Sequence, residues 1–340
     1  MKKHLIYTNH ILKILLLTSL VFCSRGKKDN KGIFLFLLSE QNRLSKIYWD
    51  MQSSGVSSDL QSIIFQSGKY YCAGKNGTLL ISSDGKSWNR QNLDTDISIN
   101  KIAYLGGQFF VLGENGLIMI SADGQNWKNF SLITKHSLKS IATDGSTFIL
   151  GGLNPLGKSV VLASRTPETR TSWVESSSVS YSSSIDIAFF LNGKISMWGS
   201  TGVYTYCTSD CSTSSGWPGF FRDLTQMNNN VIFDHYVRYN NTVYLASANS
   251  GKIYSTANFT DIKEVSGFPA EGRYLFAETD RFSYLGSSLY YSNDLKTWKE
   301  NKKAVSMNFN PSVYIVNDNK VLGIGSEGKI GILETSAAFP

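Results

Sequence analysis

The sequence predicts an all-β fold, a seven-bladed β-propeller of four-stranded antiparallel blades, from three observations. A serine-aspartate turn ending in tryptophan recurs as SSDGKSW (82–88), SADGQNW (121–127) and SNDLKTW (292–298). Tryptophans also recur at a regular distance: 88 minus 49 gives 39, 127 minus 88 gives 39 and 173 minus 127 gives 46, enough for four short strands and their turns. The chain holds 19 Phe, 17 Tyr and 29 Gly against 6 Pro, a composition of strands joined by tight turns.

The turn has a mechanical logic. Ser and Asp side chains bond backbone groups one or two residues away, so they hold the chain where the strand ladder is interrupted. Gly85 and Gly124 follow the aspartates because a two-residue Asp-Gly hairpin needs positive φ. The tryptophan then starts the returning strand and fills the space between sheets. Asp84, Asp123 and Asp294 are therefore expected to be turn supports, and Trp88, Trp127 and Trp298 packing anchors.

The repeats follow in order. LQSIIF (60–65), KYYCAG (69–74) and TLLISS (78–83) precede Trp88, and NKIAYL (100–105), QFFVLG (108–113) and LIMIS (117–121) precede Trp127. Asn-Gly pairs make the middle hairpins of both. A third repeat uses LKSIAT (138–143), TFILGG (147–152) and VVLAS (160–164) before Trp173, and a fourth uses IDIAFF (185–190), KISMWG (194–199) and VYTYC (203–207). The fifth holds YVRYN (236–240), TVYLAS (242–247) and KIYST (252–256), with Phe259 near the tryptophan position; the sixth holds RYLFAE (273–278), FSYLG (282–286) and LYYS (289–292) before Trp298. The seventh, SVYIVN (312–317), KVLGIG (320–325) and KIGIL (329–333), stops a strand short, and SKIYWD (45–50) is the candidate to complete it and close the ring. IFLFLL (33–38) fits no repeat, and six apolar residues cannot span a bilayer.

The N-terminus reads differently. Lys2 and Lys3 precede the apolar run Ile14–Phe22, the layout of a secretory signal. LVFC (20–23) resembles a bacterial lipobox, although Phe22 stands where a small residue is usual, and the resemblance implies lipidation at Cys23. The expected organisation is a signal over 1–22, an anchor linker over 23–43, the propeller over 44–335 and a tail over 336–340. Removing Lys2, Lys3 and Lys13 takes the formal charge from +7 to 7 minus 3, or +4. That is no basic stripe, which argues against nucleic acid as a partner. Arg25, Lys27, Lys28 and Lys31 follow the anchor, where they suit anionic headgroups or a solvated linker.

Cys207 and Cys211 lie close enough to close a small loop in an oxidising compartment, whereas Cys72 sits in an apolar strand pattern. The spacing favours a disulfide over metal binding, since only His136 and His235 remain after signal removal and neither has a ligand-like neighbour. No nucleophile elbow, phosphate loop or other motif calls for a cofactor. GWPGFF (216–221) groups Trp217, Phe220 and Phe221, either as an exposed partner surface or as the anchor of the fourth blade.

The S-x-D-G-x-x-W turn is similar to the Asp-box of sialidase-like BNR propellers, one residue shorter between aspartate and tryptophan. The body of the chain resembles exported propellers grouped with photosystem II assembly and stability factors, among them many bacterial lipoproteins. In those families the box is structural and faces away from the site. Sialidases would bring an arginine triad and a tyrosine-glutamate pair; no Arg-Ile-Pro stretch opens the first repeats, and FFRDL around Arg222 is not that motif. Arg238 and Arg273 lie in strands able to line a channel. The expected role is a monomeric, non-catalytic scaffold at the cell envelope, bound to the membrane through its lipid and to an envelope protein or glycan through its loops. A glycan-binding or sialidase-like hydrolase and an assembly factor for a membrane complex are the alternatives. Metabolic labelling with a lipid precursor should mark the mature protein and fail to mark Cys23→Ala; equal labelling of both would rule out this anchor.

Overall fold

A computed structural model describes residues 46–176, 182–199, 204–217, 233–247, 252–258, 261–267, 272–277, 282–286, 288–305, 309, 311–317 and 320–334. Of the two compact units, Met1–Lys46 and Ile47–Pro340, the second holds the sheets. The signal, Cys23 and IFLFLL lie outside the described residues.

Six blades are each wound from one continuous stretch of chain. Blade 1 is Leu60–Gln66, Lys69–Gly74, Thr78–Ser82 and Asn89–Gln91, side by side in that order. Blade 2 is Ile99–Leu105, Gln108–Gly113, Ile118–Ser121 and Lys128–Asn129, and blade 3 is Ser137–Thr143, Phe148–Leu153, Ser159–Ser164 and Val174–Glu175. Blade 4 shows three strands among the described residues, Ile185–Leu191, Lys194–Gly199 and Tyr204–Tyr206. Blade 5 is Phe233–Tyr239, Thr242–Ser247, Ile253–Thr256 and Lys263–Glu264. Blade 6 is Gly272–Ala277, Phe282–Gly286, Ser288–Ser292 and Lys299–Val305.

The expected seven-bladed ring is thus corrected to six blades, each continuous in sequence, with the ring completed by a closing sheet built from both ends of the chain. Val313–Asn317, Lys320–Ile324 and Lys329–Glu334 come from the end of the chain, and Asp50–Ser53 pairs with the last of them, Asp50 opposite Ile332 and Ser53 opposite Lys329. The closing strand is not 45–50, for a physical reason. In the blades the tryptophan sits just before the outer strand: Trp88 before Asn89, Trp127 before Lys128, Trp298 before Lys299. Trp49 does the same, buried edge-on to Phe309 with ring centroids 5.4 Å apart and against Gly331, so pairing begins at Asp50.

The closing sheet differs from the blades in a second respect. The first strand of every blade skips one residue in its pairing: between Leu60 and Ser62, Ile99 and Lys101, Leu138 and Ser140, Ile185 and Ile187, Phe233 and His235, and Gly272 and Tyr274. Val313–Asn317 pairs in step throughout. The skipped residues are Gln61, Asn100, Lys139, Asp186, Asp234 and Arg273, all polar in strands that are otherwise mostly apolar or aromatic.

Apolar residues alternate between neighbours on either side. Tyr71, Ala73, Leu79 and Ile81 of blade 1 pack with Ile102, Phe109, Val111 and Met119 of blade 2, while Tyr70, Cys72 and Leu80 pack with Leu322, Ile324 and Ile332 of the closing sheet. Further clusters join blades 2 to 6 in the same way, so both faces of blades 1 to 5 are core. Truncating the chain to begin at residue 54 should lower the melting temperature of the whole ring, with the loss of Trp49 burial alone costing roughly 3–5 kcal/mol. A truncated chain that melts like the full one would refute closure by Asp50–Ser53.

Candidate binding face and central channel

The blades have two unlike ends. At one end the middle hairpins meet the linkers that lead from blade to blade. Lys75 donates its N–H to the Asp59 carbonyl at 2.9 Å, Glu114 to Ser98 at 3.0 Å and Gly116 to His136 at 2.6 Å, and Leu60 donates to Gly325 at 3.0 Å across the ring closure. Asn76 and Gly77 have φ of 56° and 59°, and Asn115 and Gly116 of 53° and 72°, the double left-handed turn that Asn-Gly supplies at low cost. A Cβ at Gly77 would run into the Thr95 carbonyl, so this hairpin also needs glycine for room.

The serine-aspartate turns lie at the opposite end, because Ser82 pairs with Tyr70, and Tyr70 with Phe65, at the far end of the ladder from Leu60, Gly74 and Thr78. Each turn is a closed set of bonds. Ser82 Oγ donates to Asp84 Oδ1 at 3.0 Å and accepts from Gly85 N–H at 2.8 Å, while the Lys86 and Ser87 N–H groups both donate to Asp84 Oδ1 at 2.8 Å. Ser121 with Asp123 and Ser292 with Asp294 repeat the pattern. The turn spans residues 83–88 between Thr78–Ser82 and Asn89–Gln91, so the two-residue hairpin expected from Asp-Gly is corrected to a longer loop. Gly85 at φ 75° sits against Leu322 and Gly124 at φ 72° against Tyr71, each tucked onto the preceding sheet; Leu295 takes the position at φ 61° in blade 6. Trp88 donates Nε1–H to the Gly85 carbonyl at 3.0 Å and packs with the cluster shared by blade 1 and the closing sheet. Trp127 packs with the cluster of blades 1 and 2, and Trp298 with that of blades 5 and 6.

Between the two ends runs a central channel of about 910 Å³, lined by the first strand of blades 1 to 4, Tyr236 of blade 5 and Val313–Ile315 of the closing sheet. Serines stitch its wall: Ser62 Oγ accepts from the Ile102 N–H at 3.1 Å, and Ser140 Oγ donates to the Ile185 carbonyl at 3.0 Å. Tyr236 and Tyr314 reach the carbonyls of Ala188 and Leu275 in the preceding blades at 3.5 and 3.4 Å. Skipped residues crown the hairpin end. Asn100 donates to Glu114, Ser137 and Leu138, and Lys139 faces Asp186 at 3.5 Å. Sequence reasoning missed this polar ring, although one polar residue near the start of each blade's first strand was its signal.

The structure joins Cys207 and Cys211, Sγ to Sγ at 2.06 Å, in the place where the other blades turn outward. Trp217 is 1 % exposed, donates Nε1–H to the Cys211 carbonyl at 3.1 Å and packs with blades 3 and 4. It is therefore no exposed partner surface; the disulfide loop folds over it. Phe220, Phe221, Phe259 and Arg222 lie outside the described residues, as do the side chains of His235 and Arg273. Cys72 is fully buried, and burial pushes its thiol far up, away from the reactive thiolate. Among the described residues no cluster of three metal-ligating side chains occurs, and no helix is long and apolar enough to cross a membrane.

Such a ring of radially packed antiparallel sheets is a β-propeller. Residues 28–129 match a family model described as the DUF6242 beta propeller domain. No curated protein is similar enough in sequence to count as a relative. Among solved structures, the chain is similar to YCF48 bound to D1 peptide, at 16% identity and a TM-score of 0.57 over 84% of this chain and 96% of that one. It is also similar to a catalytically inactive virginiamycin B lyase from Staphylococcus aureus with quinupristin, at 11% identity and a TM-score of 0.64 over 84% and 99%. The extracellular domain of BT4673 from B. thetaiotaomicron matches at 13% identity and a TM-score of 0.54, over 84% of this chain and 39% of that one. These likenesses show the fold alone.

Two measurements check the assignment of roles. The turn bonds hold Asp84 and Asp294 down to a pKa of about 2 from 3.8, so their stabilising effect is complete above pH ~4 and is lost as pH falls through about 2. Melting temperature should fall across that window, and Asp84→Asn with Asp294→Asn should flatten the fall; an unchanged profile would count against the turn role. Trp217→Ala should cost roughly 3–5 kcal/mol in a denaturant titration, and a near-native midpoint would reopen a surface role.

Proposed function

We propose that the protein is an exported, lipid-anchored, monomeric propeller that binds an extended segment of an envelope protein on its hairpin face without catalysing a reaction. One observation carries the reading. On that face the linker into blade 3 exposes Ile133 at 91 % and the middle hairpin of the same blade exposes Leu156 at 84 %, two large apolar side chains on loops that hydrogen bonds hold in shape. Rigid loops bearing apolar side chains lose little entropy on docking and cover an extended chain well. The similar fold of YCF48 is bound to a peptide, which supports the same use of this scaffold. An assembly role in a membrane complex would be one consequence of such binding. The repeated serine-aspartate turns support an Asp-box reading of the blades, with the box as a stabilising device.

Hydrolysis of glycosides finds little support in the described arginines. Arg165 is held by Asp210 at 2.9 Å, Arg90 lies on an outer strand, and Arg238 reaches the Phe190 carbonyl and Asn241 at the end of its strand away from the hairpins. A photocrosslinker placed at Leu156 in intact envelopes should capture one reproducible protein. Ile133→Glu combined with Leu156→Glu should abolish capture by a crosslinker at Asn154 while melting stays unchanged. Undiminished capture by that variant would sink the proposal.

A further inference from the structure

The two most exposed large apolar side chains among the described residues each stand two positions before an exposed lysine: Ile133 before Lys135 in the linker into blade 3, and Leu156 before Lys158 in the middle hairpin of that blade. The two loops leave the sheet side by side, because Ser137 pairs with Leu153 and Leu138 with Gly152 at the last rungs of the ladder between them. Both are held in shape. In the linker, Leu132 donates its N–H to the Gly116 carbonyl at 2.9 Å, and the His136 carbonyl accepts from Gly116 at 2.6 Å. In the hairpin, Asn154 Oδ1 accepts from the Leu156 and Lys158 N–H groups at 3.0 Å each, and the Asn154 N–H donates to the Lys158 carbonyl at 2.8 Å.

Charges on the elements around these loops are unevenly spent. Glu114 accepts from Asn100 at 2.8 Å and from Ser137 at 2.7 Å, Glu175 faces the buried His136 at 3.4 Å, and Asp186 faces Lys139 at 3.5 Å and accepts from Ser184 at 2.7 Å. These three carboxylates are engaged. Lys135 has no ion-pair or hydrogen-bond partner among the described residues, and Lys158 reaches only the neutral Ser182 hydroxyl, at 2.6 Å. The patch is therefore apolar and positive at once. A partner that buried Ile133 and Leu156 without bringing carboxylates would draw both ammonium groups out of water with nothing in return.

We propose that the blade 3 loops recognise an acidic-apolar segment of the partner protein, an extended stretch in which aspartate or glutamate alternates with large apolar residues. Ile133 and Leu156 cover the apolar side chains, and Lys135 and Lys158 each donate a charge-assisted hydrogen bond to a carboxylate. A segment with lysine or arginine at the same places meets two ammonium groups and is rejected, so the lysines select the partner as well as hold it. This names the chemistry of the segment whose docking on the hairpin face is proposed above, and it rests on that reading.

Fluorescence anisotropy with two dye-labelled eight-residue peptides tests it, one alternating glutamate with valine and its twin with lysine in place of glutamate. The full chain should bind the acidic peptide at least about tenfold more tightly than the twin, because two attractions become two repulsions. Lys135→Glu combined with Lys158→Glu should reverse that preference, a gain that a misfolded variant could not show. Ile133→Ser combined with Leu156→Ser should weaken the acidic peptide while leaving the sign of the preference. Equal binding of the two peptides, no binding of the acidic one, or an unreversed preference would each overturn the proposal. So would binding to phosphatidylglycerol vesicles, lost in the lysine variant, without a preference between peptides, since the patch would then serve a lipid surface. The crosslinker at Asn154 separates this inference from the reading beneath it: capture that persists in the lysine variant refutes the acidic segment alone, whereas no capture by the unaltered protein refutes the docking face itself.

Discussion

Blades 1 to 5 are apolar on both faces, and that constraint governs the rest. A sheet such as blade 1, with Tyr70, Cys72 and Leu80 on one side and Tyr71, Ala73 and Leu79 on the other, cannot stand at the end of a row. Each needs two neighbours, so the row must bend round until its ends meet. The two ends of the chain then share one sheet, with Asp50–Ser53 laid against Lys329–Glu334 and Trp49 sealed against Phe309 and Gly331. Closure covers the outer face of blade 1, and it ties the stability of the ring to a strand of four residues.

The same constraint sorts the two ends of the ring by task. Where a strand turns outward, Ser82, Asp84 and Gly85 satisfy the turn's own backbone and press it onto the neighbouring sheet, leaving Asp84 Oδ1 fully engaged. A carboxylate so engaged is held as the anion and has little capacity for acid-base work at neutral pH. The opposite end is built from backbone bonds between hairpins and linkers, which leave side chains such as Ile133 and Leu156 outside. Stability is concentrated at one end and available surface at the other.

The channel wall shows how a repeat acquires individual sites. In blades 1 to 4 one skipped residue in the first strand turns a polar side chain to the channel while the ladder on either side stays in register. Six blades carry the device and the closing sheet does not, so the ring is not seven copies of one unit. Because the same backbone slot receives Gln61, Asn100, Lys139 or Asp186, the chemistry varies while the frame does not.

Much of the fold was legible in the chain itself. Blade order, strand positions, the left-handed Asn-Gly hairpins and the link between Trp88 and the outer strand follow from local rules: period two in strands, positive φ at glycine and asparagine, and a turn whose side chains bond their own backbone. What local rules could not decide were matters of partnership. Whether Trp217 is an anchor or a surface depends on the disulfide loop that folds over it, and whether the closing strand is 45–50 or Asp50–Ser53 depends on the pocket that takes Trp49. That Asn100 reaches Glu114, Ser137 and Leu138, and that Lys139 faces Asp186, depends on partners 14 to 47 residues away in sequence, brought near by the folding of a blade and its packing on the next. The sequence determined the unit and its repetition, because those rest on contacts within a turn or a ladder; the tertiary structure decided the site, because burial and pairing are properties of neighbours.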